Sequence, residues 1–306
     1  MIITRLSGGL GNQMFQYAAG LALAAHHRTT LRLDVTRYHL DPEREPHNRY
    51  ALAALNVGQH FAAAAEIEHV RGRRLSRSER LFLRLACLAR LHFIRDRLTF
   101  VGHWHREPTR RHFPGFFEWP APAYLDGMWQ SPAYFAPIED LIRQHFTLRY
   151  PLGEEARAIA ADISSPGPTA FVHFRRGDYA RNPIFAKTIG VLGVDYYRRA
   201  IEELRRAHPG VRLYVFSDEP SSIAAVFPSG FRFRIIHLAG GWRAHEELYL
   251  MSLFPHAILS NSTFAWWGAW LHPGRDRTVI APTPWLLDRP AALTDLIPPS
   301  WQTIPR

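Results

Sequence analysis

Cysteine and long apolar runs are almost absent from this chain of 306 residues. Cys87 is the only cysteine, which excludes an internal disulfide and a zinc cluster built on cysteine ligands. No uninterrupted apolar run approaches the roughly 18 residues that indicate a membrane-spanning helix. The N-terminus lacks the layout of a signal peptide. These features favour a folded protein of the cytoplasm.

The chain also lacks the pattern Asp-x-Asp, and Lys187 is its only lysine. Paired carboxylates of that kind commonly hold a divalent cation against substrate phosphates. Without them, a diphosphate must be neutralised by arginine side chains and backbone dipoles. We therefore expect a phosphate site that uses no metal and no other cofactor.

Positive charge is unevenly distributed along the chain. The formal net charge is +10, and residues 71–111 hold twelve arginines against three acidic residues. Such a cluster is typical of a solvated basic face, of a surface for anionic lipids or lipid-linked intermediates, or of a nucleic-acid-binding surface. The nearby aromatic residues are not spaced for base stacking, and no nucleic-acid-binding module is recognisable. Nucleic acid is therefore the least favoured partner, and peripheral contact with the inner face of the membrane stays open.

The first residues predict a Rossmann-like start. Ile2 to Leu6 has the pattern of a buried strand, Ser7 to Gln13 is a glycine-rich turn, and Met14 to Ala25 has the pattern of an apolar helix. Glycines in such a turn allow close approach of the backbone to a phosphate or a sugar. Met14 occupies the place of the third glycine of the dinucleotide fingerprint, which argues against tightly held NAD or FAD.

The second half of the chain alternates predicted strands and helices, which indicates a parallel sheet with right-handed crossovers. A linker is predicted at Tyr150 to Gly153. The length suffices for two domains. We expect residues 1–150 to form an N-terminal Rossmann-like domain on the acceptor side. Residues 151–306 are expected to form a C-terminal Rossmann-like domain that binds the nucleotide.

Three predicted strands of the second half end in polar loops. These are His173 to Asp178, then Ser217 and Asp218, and finally Ser260 to Phe264. Because the carboxyl ends of parallel strands share one edge of a sheet, the three loops should form one crevice. The last loop alone is more typical of an N-cap before a buried aromatic helix than of a phosphate site. The three together predict a nucleotide site.

The side chains in these loops suggest specific contacts. The Arg175 guanidinium matches two phosphate oxygens, and the Asp218 carboxylate can accept ribose hydroxyls. Glu247 precedes the third strand and is either an acceptor for the guanine N1 and N2 hydrogens or a solvated acid on a helix face. This set favours a metal-independent, two-lobed nucleotide-sugar transferase.

Four stretches then resemble the α-1,2-fucosyltransferases of glycosyltransferase family 11: Gly8 to Tyr17, His173 to Tyr179, Phe216 to Asp218, and Ser260 to Leu271. The likeness implies a GT-B fold, in which two Rossmann-like domains face each other across a cleft. It implies GDP-β-L-fucose as donor and inverting transfer to the 2-hydroxyl of a terminal β-galactoside. The acceptor would be a galactose-terminated oligosaccharide or lipid-linked glycan, in bacterial surface polysaccharide or O-antigen synthesis.

The resemblance also implies roles for individual residues. Arg175 would bind the β-phosphate. The general base is not identified by the resemblance: Asp178 lies in a suitable loop, where it acts as the base or orders the arginines, and Asp34 and Glu219 are other candidates. Family members usually carry Asp in place of Glu247. The remaining donor-binding predictions are Gly11, Asn12, His173, Ser217, Asp218, Glu247, Asn261, Ser262, Thr263 and Phe264.

On the acceptor side, the predicted residues are Trp129 and Gln130. Trp129 either stacks on a sugar face or lies in the core. Two other functions stay open at this point. One is a metal-independent GT-B transferase that uses another nucleotide sugar, and the remote one is a basic nucleic-acid-binding protein.

Overall fold

A computed structural model describes residues 1–39, 49–72, 103–223, 227, 230–239, 243–291 and 293–306. The side chain of Asp178 lies outside this described part, as does most of the arginine cluster. Residues 76–95, whose apolar periodicity predicts an amphipathic helix, also lie outside it.

The first lobe is built on a four-stranded parallel sheet of order β2-β1-β4-β3. Its strands are β1 (Ile2–Arg5), β2 (Leu31–Asp34), β3 (Trp104–Arg106) and β4 (Ala123–Asp126). Its helices are α1 (Leu10–His26), α2 (Thr36–His39), α3 (Ala64–Arg71) and α4 (Glu139–His145).

The second lobe has a six-stranded parallel sheet of order β10-β9-β8-β5-β6-β7. Its strands are β5 (Thr169–Phe174), β6 (Arg212–Ser217), β7 (Phe233–Ile236), β8 (His256–Ile258), β9 (Val279–Thr283) and β10 (Gln302–Pro305). Its helices are α5 (Glu154–Ile163), α6 (Gly177–Arg181), α7 (Pro183–Thr188), α8 (Val194–Ala207), α9 (Ala244–Ser252) and α10 (Thr263–Trp270).

Numbered from β5, the second sheet has the strand order 3-2-1-4-5-6 of dinucleotide-binding folds. All six residues of β5 are buried, as a central strand covered by helices on both faces requires. The predicted α/β class with two Rossmann-like domains across a cleft, the GT-B arrangement, is confirmed. The predicted boundary at residues 150 and 151 falls between the two sheets and stays a prediction.

Several elements differ from the sequence predictions. Helix α1 begins at Leu10 rather than at Met14, because Gly9 is the extended N-cap and Gly11 lies within the first turn. Helices α6 and α7 stand where a loop was expected, since five- and six-residue helices are too short to show an apolar repeat. Strands β3 and β10 were not predicted, because most of their residues are exposed.

The two lobes are held together by α1 and α10. The Phe15 ring lies 4.7 Å from the Trp266 ring and 4.8 Å from the Trp267 ring, measured between centroids. The Trp267 indole N–H donates to the Gly11 carbonyl at 3.0 Å. A Cβ atom on Gly11 would lie 2.5 Å from the Phe264 backbone nitrogen. Glycine is therefore needed where the two helix starts meet.

We expect Gly11→Ala to destabilise the protein, because the added methyl group meets backbone that cannot rotate away. Overpacking of this kind typically costs about 1–3 kcal/mol. Urea denaturation should show a lower midpoint. Gly193→Ala is the matched control, since its Cβ would have no neighbour within 4 Å. Equal stability of the two variants would contradict the close contact.

Candidate active site

The cleft lies where loops at the carboxyl ends of both sheets face each other, and its volume is about 1110 Å³. Neighbouring strands β5 and β8 form the switch point of the second sheet, the usual place for a ligand in such folds. The loop after β1 lines the opposite wall. The cleft brings together the predicted donor-binding residues Gly11, Asn12, His173, Arg175, Ser217, Asp218, Glu247, Asn261, Ser262, Thr263 and Phe264.

Asp218 fixes the loop that carries Arg175. Its Oδ2 lies 3.3 Å from Arg175 Nε, and its Oδ1 accepts the Arg176 backbone N–H at 3.0 Å. The Arg175 guanidinium carbon lies 5.4 Å from the centre of the Tyr179 ring. The guanidinium lines the cleft, where its planar fork of donors suits phosphate oxygens. The predicted ribose contact of Asp218 stays a prediction.

Asn12 connects the two lobes inside the cleft. Its Oδ1 accepts hydrogen bonds from Gln130 Nε2 at 2.9 Å and from Thr263 Oγ1 at 3.0 Å. Because both partners donate to Oδ1, the orientation of the amide is set. Its Nδ2 lies beside the position of a Cβ on Gly8 and has no protein acceptor in the described part of the chain. Nδ2 is thus placed to donate to a ligand oxygen.

The start of α10 is less open to a phosphate than the sequence suggested. The Thr263 hydroxyl has one hydrogen, and it is directed to Asn12. Asn261 donates from Nδ2 to the Ile189 carbonyl at 2.9 Å, so its amide supports the loop after α7. Ser262 is the N-cap and makes no side-chain cap bond. The Ser262 hydroxyl and the first backbone N–H groups are therefore the better phosphate donors.

His173 is a neutral residue of the site. It is 4 % exposed, and its Nδ1 lies 2.8 Å from Ser260 Oγ. Burial, together with the smaller effect of the nearby Arg175 charge, lowers the pKa of His173 to about 3. An imidazole in this state serves as a hydrogen-bond partner rather than as a proton shuttle near neutral pH.

Glu247 is the unusual titrating group of the cleft. Burial raises the pKa of Glu247 to about 7, while Arg175 and Arg243 oppose the shift and Asp218 adds to it. The side chain retains some contact with the cleft, and no hydrogen-bond donor to it is found among the described residues. A carboxylate without a protein donor is suited to a ligand that brings its own N–H groups.

Of the two acceptor-side predictions, the structure places only Gln130 in the cleft. Trp129 is 0 % exposed and packs against Phe116 and Trp119 at centroid distances of 5.4 and 5.8 Å. Its positive φ of 54° turns the side chain into this aromatic cluster. The stacking interpretation of Trp129 is therefore wrong, and the core interpretation is correct.

A comparison with protein families identifies the family. The family model described as "Glycosyl transferase family 11" matches residues 105–304, about two thirds of the chain. The chain belongs to glycosyltransferase family 11. An Escherichia coli alpha-1,2-colitosyltransferase is 28% identical over 305 residues, covering 99% of both chains.

Two further relatives are similar. The Escherichia coli O-antigen biosynthesis glycosyltransferase WbnK is 29% identical over 303 residues, covering 92% of this chain and 93% of the relative. A Bos taurus galactoside 2-alpha-L-fucosyltransferase, SEC1, is 28% identical over 182 residues, covering 57% of this chain and 47% of the relative.

Two of the candidate general bases of this family 11 transferase already have other side-chain partners. Asp34 is 1 % exposed, and its Oδ2 accepts the Tyr124 hydroxyl at 2.5 Å. Glu219 is paired with Arg181 at 2.8 Å. The base role of Asp178 stays a prediction.

No cluster of three metal-ligating side chains occurs among the described residues. Similarly, no described helix has the length and apolarity to cross a bilayer.

Sequence reasoning missed the arginines on the first wall of the cleft. Arg5, Arg37 and Arg110 line it. Arg5 ends β1, Arg37 follows β2, and Arg110 follows β3. Applied to the predicted strands of the first lobe, the rule that polar residues at strand ends mark a site would have found Arg5 and Arg37. It would not have found Arg110, because β3 has no apolar pattern.

We expect Asn12→Asp to lower the affinity for GDP by about 10–100-fold, because the substitution keeps both bonds to Oδ1 but replaces the Nδ2 donor with negative charge. Titration calorimetry measures the effect. Asn56→Asp, outside the cleft lining, is the control for the same chemical change. Unchanged GDP affinity of Asn12→Asp would remove Asn12 from the donor site.

Glu247 predicts an unusual dependence of stability on pH. Its folded pKa of about 7 exceeds the ordinary value of 4.5. Between these values the folded state holds a proton that the unfolded chain has released, so this contribution to stability is lost as pH rises through the window. Glu247→Gln should therefore show a smaller loss of melting temperature over that range than the unsubstituted protein, without nucleotide.

If the ionised Glu247 receives guanine, affinity for GDP should rise with pH up to about 7 and level off above it. In Glu247→Gln that rise should disappear. A GDP affinity with the same pH profile in both proteins would assign guanine recognition to another residue.

Proposed function

We propose that this family 11 glycosyltransferase transfers L-fucose from GDP-β-L-fucose to the 2-hydroxyl of a terminal β-galactoside and inverts the anomeric configuration. The observation that carries the proposal is the convergence of Arg175, Asn12 Nδ2 and the start of α10 on one cleft. The relatives named alpha-1,2-colitosyltransferase and galactoside 2-alpha-L-fucosyltransferase support the linkage and the sugar class.

In the proposed reaction, the acceptor hydroxyl oxygen attacks the anomeric carbon from the face opposite GDP and gives its proton to a general base, for which Asp178 is the candidate. As the bond to GDP breaks, negative charge grows on the β-phosphate. Arg175 neutralises this charge through its guanidinium, with help from the Ser262 hydroxyl and the first N–H groups of α10. Asn12 Nδ2 donates to a phosphate or fucose oxygen. Asp218 keeps Arg175 in position.

The nucleotide is proposed to lie along the second wall of the cleft, with guanine at Glu247 and His173 and ribose near Asp218. Guanine presents two N–H donors on one edge, and these match a single carboxylate. Gln130 is proposed to contact the acceptor from the first wall. Residues 1–150 and 151–306 would then divide the acceptor and donor roles.

A second candidate donor is GDP-colitose, because the colitosyltransferase matches 99% of this chain. Colitose is L-fucose without the hydroxyl on carbon 3, so the two donors test whether the cleft makes a hydrogen bond to that hydroxyl. The O-antigen relative WbnK supports a role in surface polysaccharide synthesis. The same proposal places the reaction at the cytoplasmic face of the membrane, with a lipid-linked glycan as the acceptor.

The test is to incubate the purified protein with EDTA, a panel of β-galactosides, and either GDP-fucose or GDP-colitose. We expect an α-1,2-linked product, with its linkage determined by NMR, and no loss of rate in EDTA. UDP-sugars serve as the control donors. Transfer only from a UDP-sugar, or a strict need for a divalent cation, would refute the proposal.

Arg175→Lys should lower kcat by roughly 100-fold, because lysine keeps the charge but loses the paired donors of the fork. The melting temperature should stay unchanged. Arg198→Lys, on an exposed face of α8, should retain full turnover. Near-normal kcat of Arg175→Lys would contradict the assigned role.

A further inference from the structure

The two walls of the cleft carry different charge. On the second-lobe wall, three arginines stand against three acidic residues, which are Arg175, Arg243, Arg289, Asp218, Glu247 and Asp288. On the first-lobe wall, the described residues that line the cleft include three arginines and no acid; the arginines are Arg5, Arg37 and Arg110. The uncapped start of α1 adds its partial positive charge to the same wall.

Most of the cleft arginines are already paired with carboxylates. Arg175 pairs with Asp218, Arg289 with Asp288, and Arg243 with both Glu246 and Glu155. Arg5 Nη2 lies 2.6 Å from Asp126 Oδ1. These pairs leave little positive charge for a further ligand.

Arg37 and Arg110 differ from this pattern. Both side chains are exposed, and neither forms an ion pair within the described part of the chain. The acid whose charge interacts with Arg110 is Glu107, but its carboxylate accepts the backbone N–H groups of Met128 and Trp129 at 2.8 and 3.2 Å. Two guanidinium groups therefore face the cleft with their donors available.

The donor does not account for these two residues. Its diphosphate has Arg175 and the start of α10 on the second wall, and Asn12 at the junction of the lobes. Arg37 and Arg110 instead follow the outer strands of the first sheet, β2 and β3. A guanidinium in this position recognises carboxylate or phosphate oxygens more strongly than neutral sugar hydroxyls.

We propose, on the basis of the function proposed above, that Arg37 and Arg110, at opposite edges of the first-lobe wall, make this wall a cationic acceptor subsite, so that the preferred acceptor is a β-galactoside that carries negative charge. The charge has two chemical sources. One is the diphosphate that joins a glycan to a carrier lipid, and the other is the carboxylate of a uronic acid next to the galactose.

The experiment compares three acceptors with the same terminal β-galactose: a neutral alkyl glycoside, a glycoside with an alkyl diphosphate at its reducing end, and a galactosyl-uronic acid. We expect kcat/KM for one charged acceptor to exceed that of the neutral one by at least about tenfold at low salt. High salt should reduce the preference, because exposed charges are screened. The preferred charged acceptor identifies the source.

Arg37→Gln and Arg110→Gln should each lower the ratio of kcat/KM for the charged over the neutral acceptor. Arg275→Gln, an exposed arginine outside the cleft lining, should leave that ratio unchanged. Equal kcat/KM for all three acceptors would overturn the inference while leaving the proposed function intact. A higher KM for GDP-fucose with an unchanged ratio would also overturn it, by placing these arginines at the donor.

If no galactoside is fucosylated, the proposed function fails, and calorimetric binding of the three acceptors to the GDP-bound protein then decides the subsite. Tighter binding of a charged acceptor that Arg37→Gln weakens would support the subsite. Equal affinity for charged and neutral acceptors would refute it.

Discussion

The site depends on the contact between the starts of α1 and α10. Gly11 allows the two helices to touch, and the indole of Trp267 donates to the Gly11 carbonyl. Beside this contact, Asn12 accepts from Thr263 of the other lobe. Because Gly11, Asn12 and Thr263 also line the cleft, the packing of the lobes and the geometry of the proposed donor site are set by the same residues.

The contact also shapes the electrostatics of the cleft. Two helix N-termini direct partial positive charge toward one space, and neither has a side-chain cap. The Thr263 hydroxyl is occupied by the bond between lobes, so the proposed phosphate contacts are backbone groups, Ser262 and Arg175. The same wall carries Glu247, whose pKa is raised to about 7 by burial while the charge of Arg175 opposes the shift. The proposed phosphate and guanine contacts therefore interact electrostatically.

Much of the second lobe could be predicted from the sequence, because its strands are buried and apolar and end in polar loops. β5 and β6 were predicted to within one or two residues for this reason. The exposed edge strands β3 and β10 have no apolar pattern and were missed. The region rich in arginine lies mostly outside the described residues, so its predicted helix and membrane contact stay predictions.

Side-chain partners were harder to predict than loops. The sequence indicates that Asn12, Thr263 and Trp129 are near a site, but it does not show that the first two bond to each other or that the third is fully buried. These facts depend on how the lobes pack, which involves residues more than 200 positions apart in the chain. The difference in charge between the two walls of the cleft likewise depends on how the lobes pack.

A crystal structure with GDP would test the central claim most directly. The account predicts the β-phosphate between Arg175, Asn12 Nδ2 and the start of α10, with the guanine edge on Glu247. It predicts that the bond between Asn12 and Thr263 is kept. GDP bound elsewhere, or a β-phosphate that contacts neither Arg175 nor the start of α10, would contradict the account.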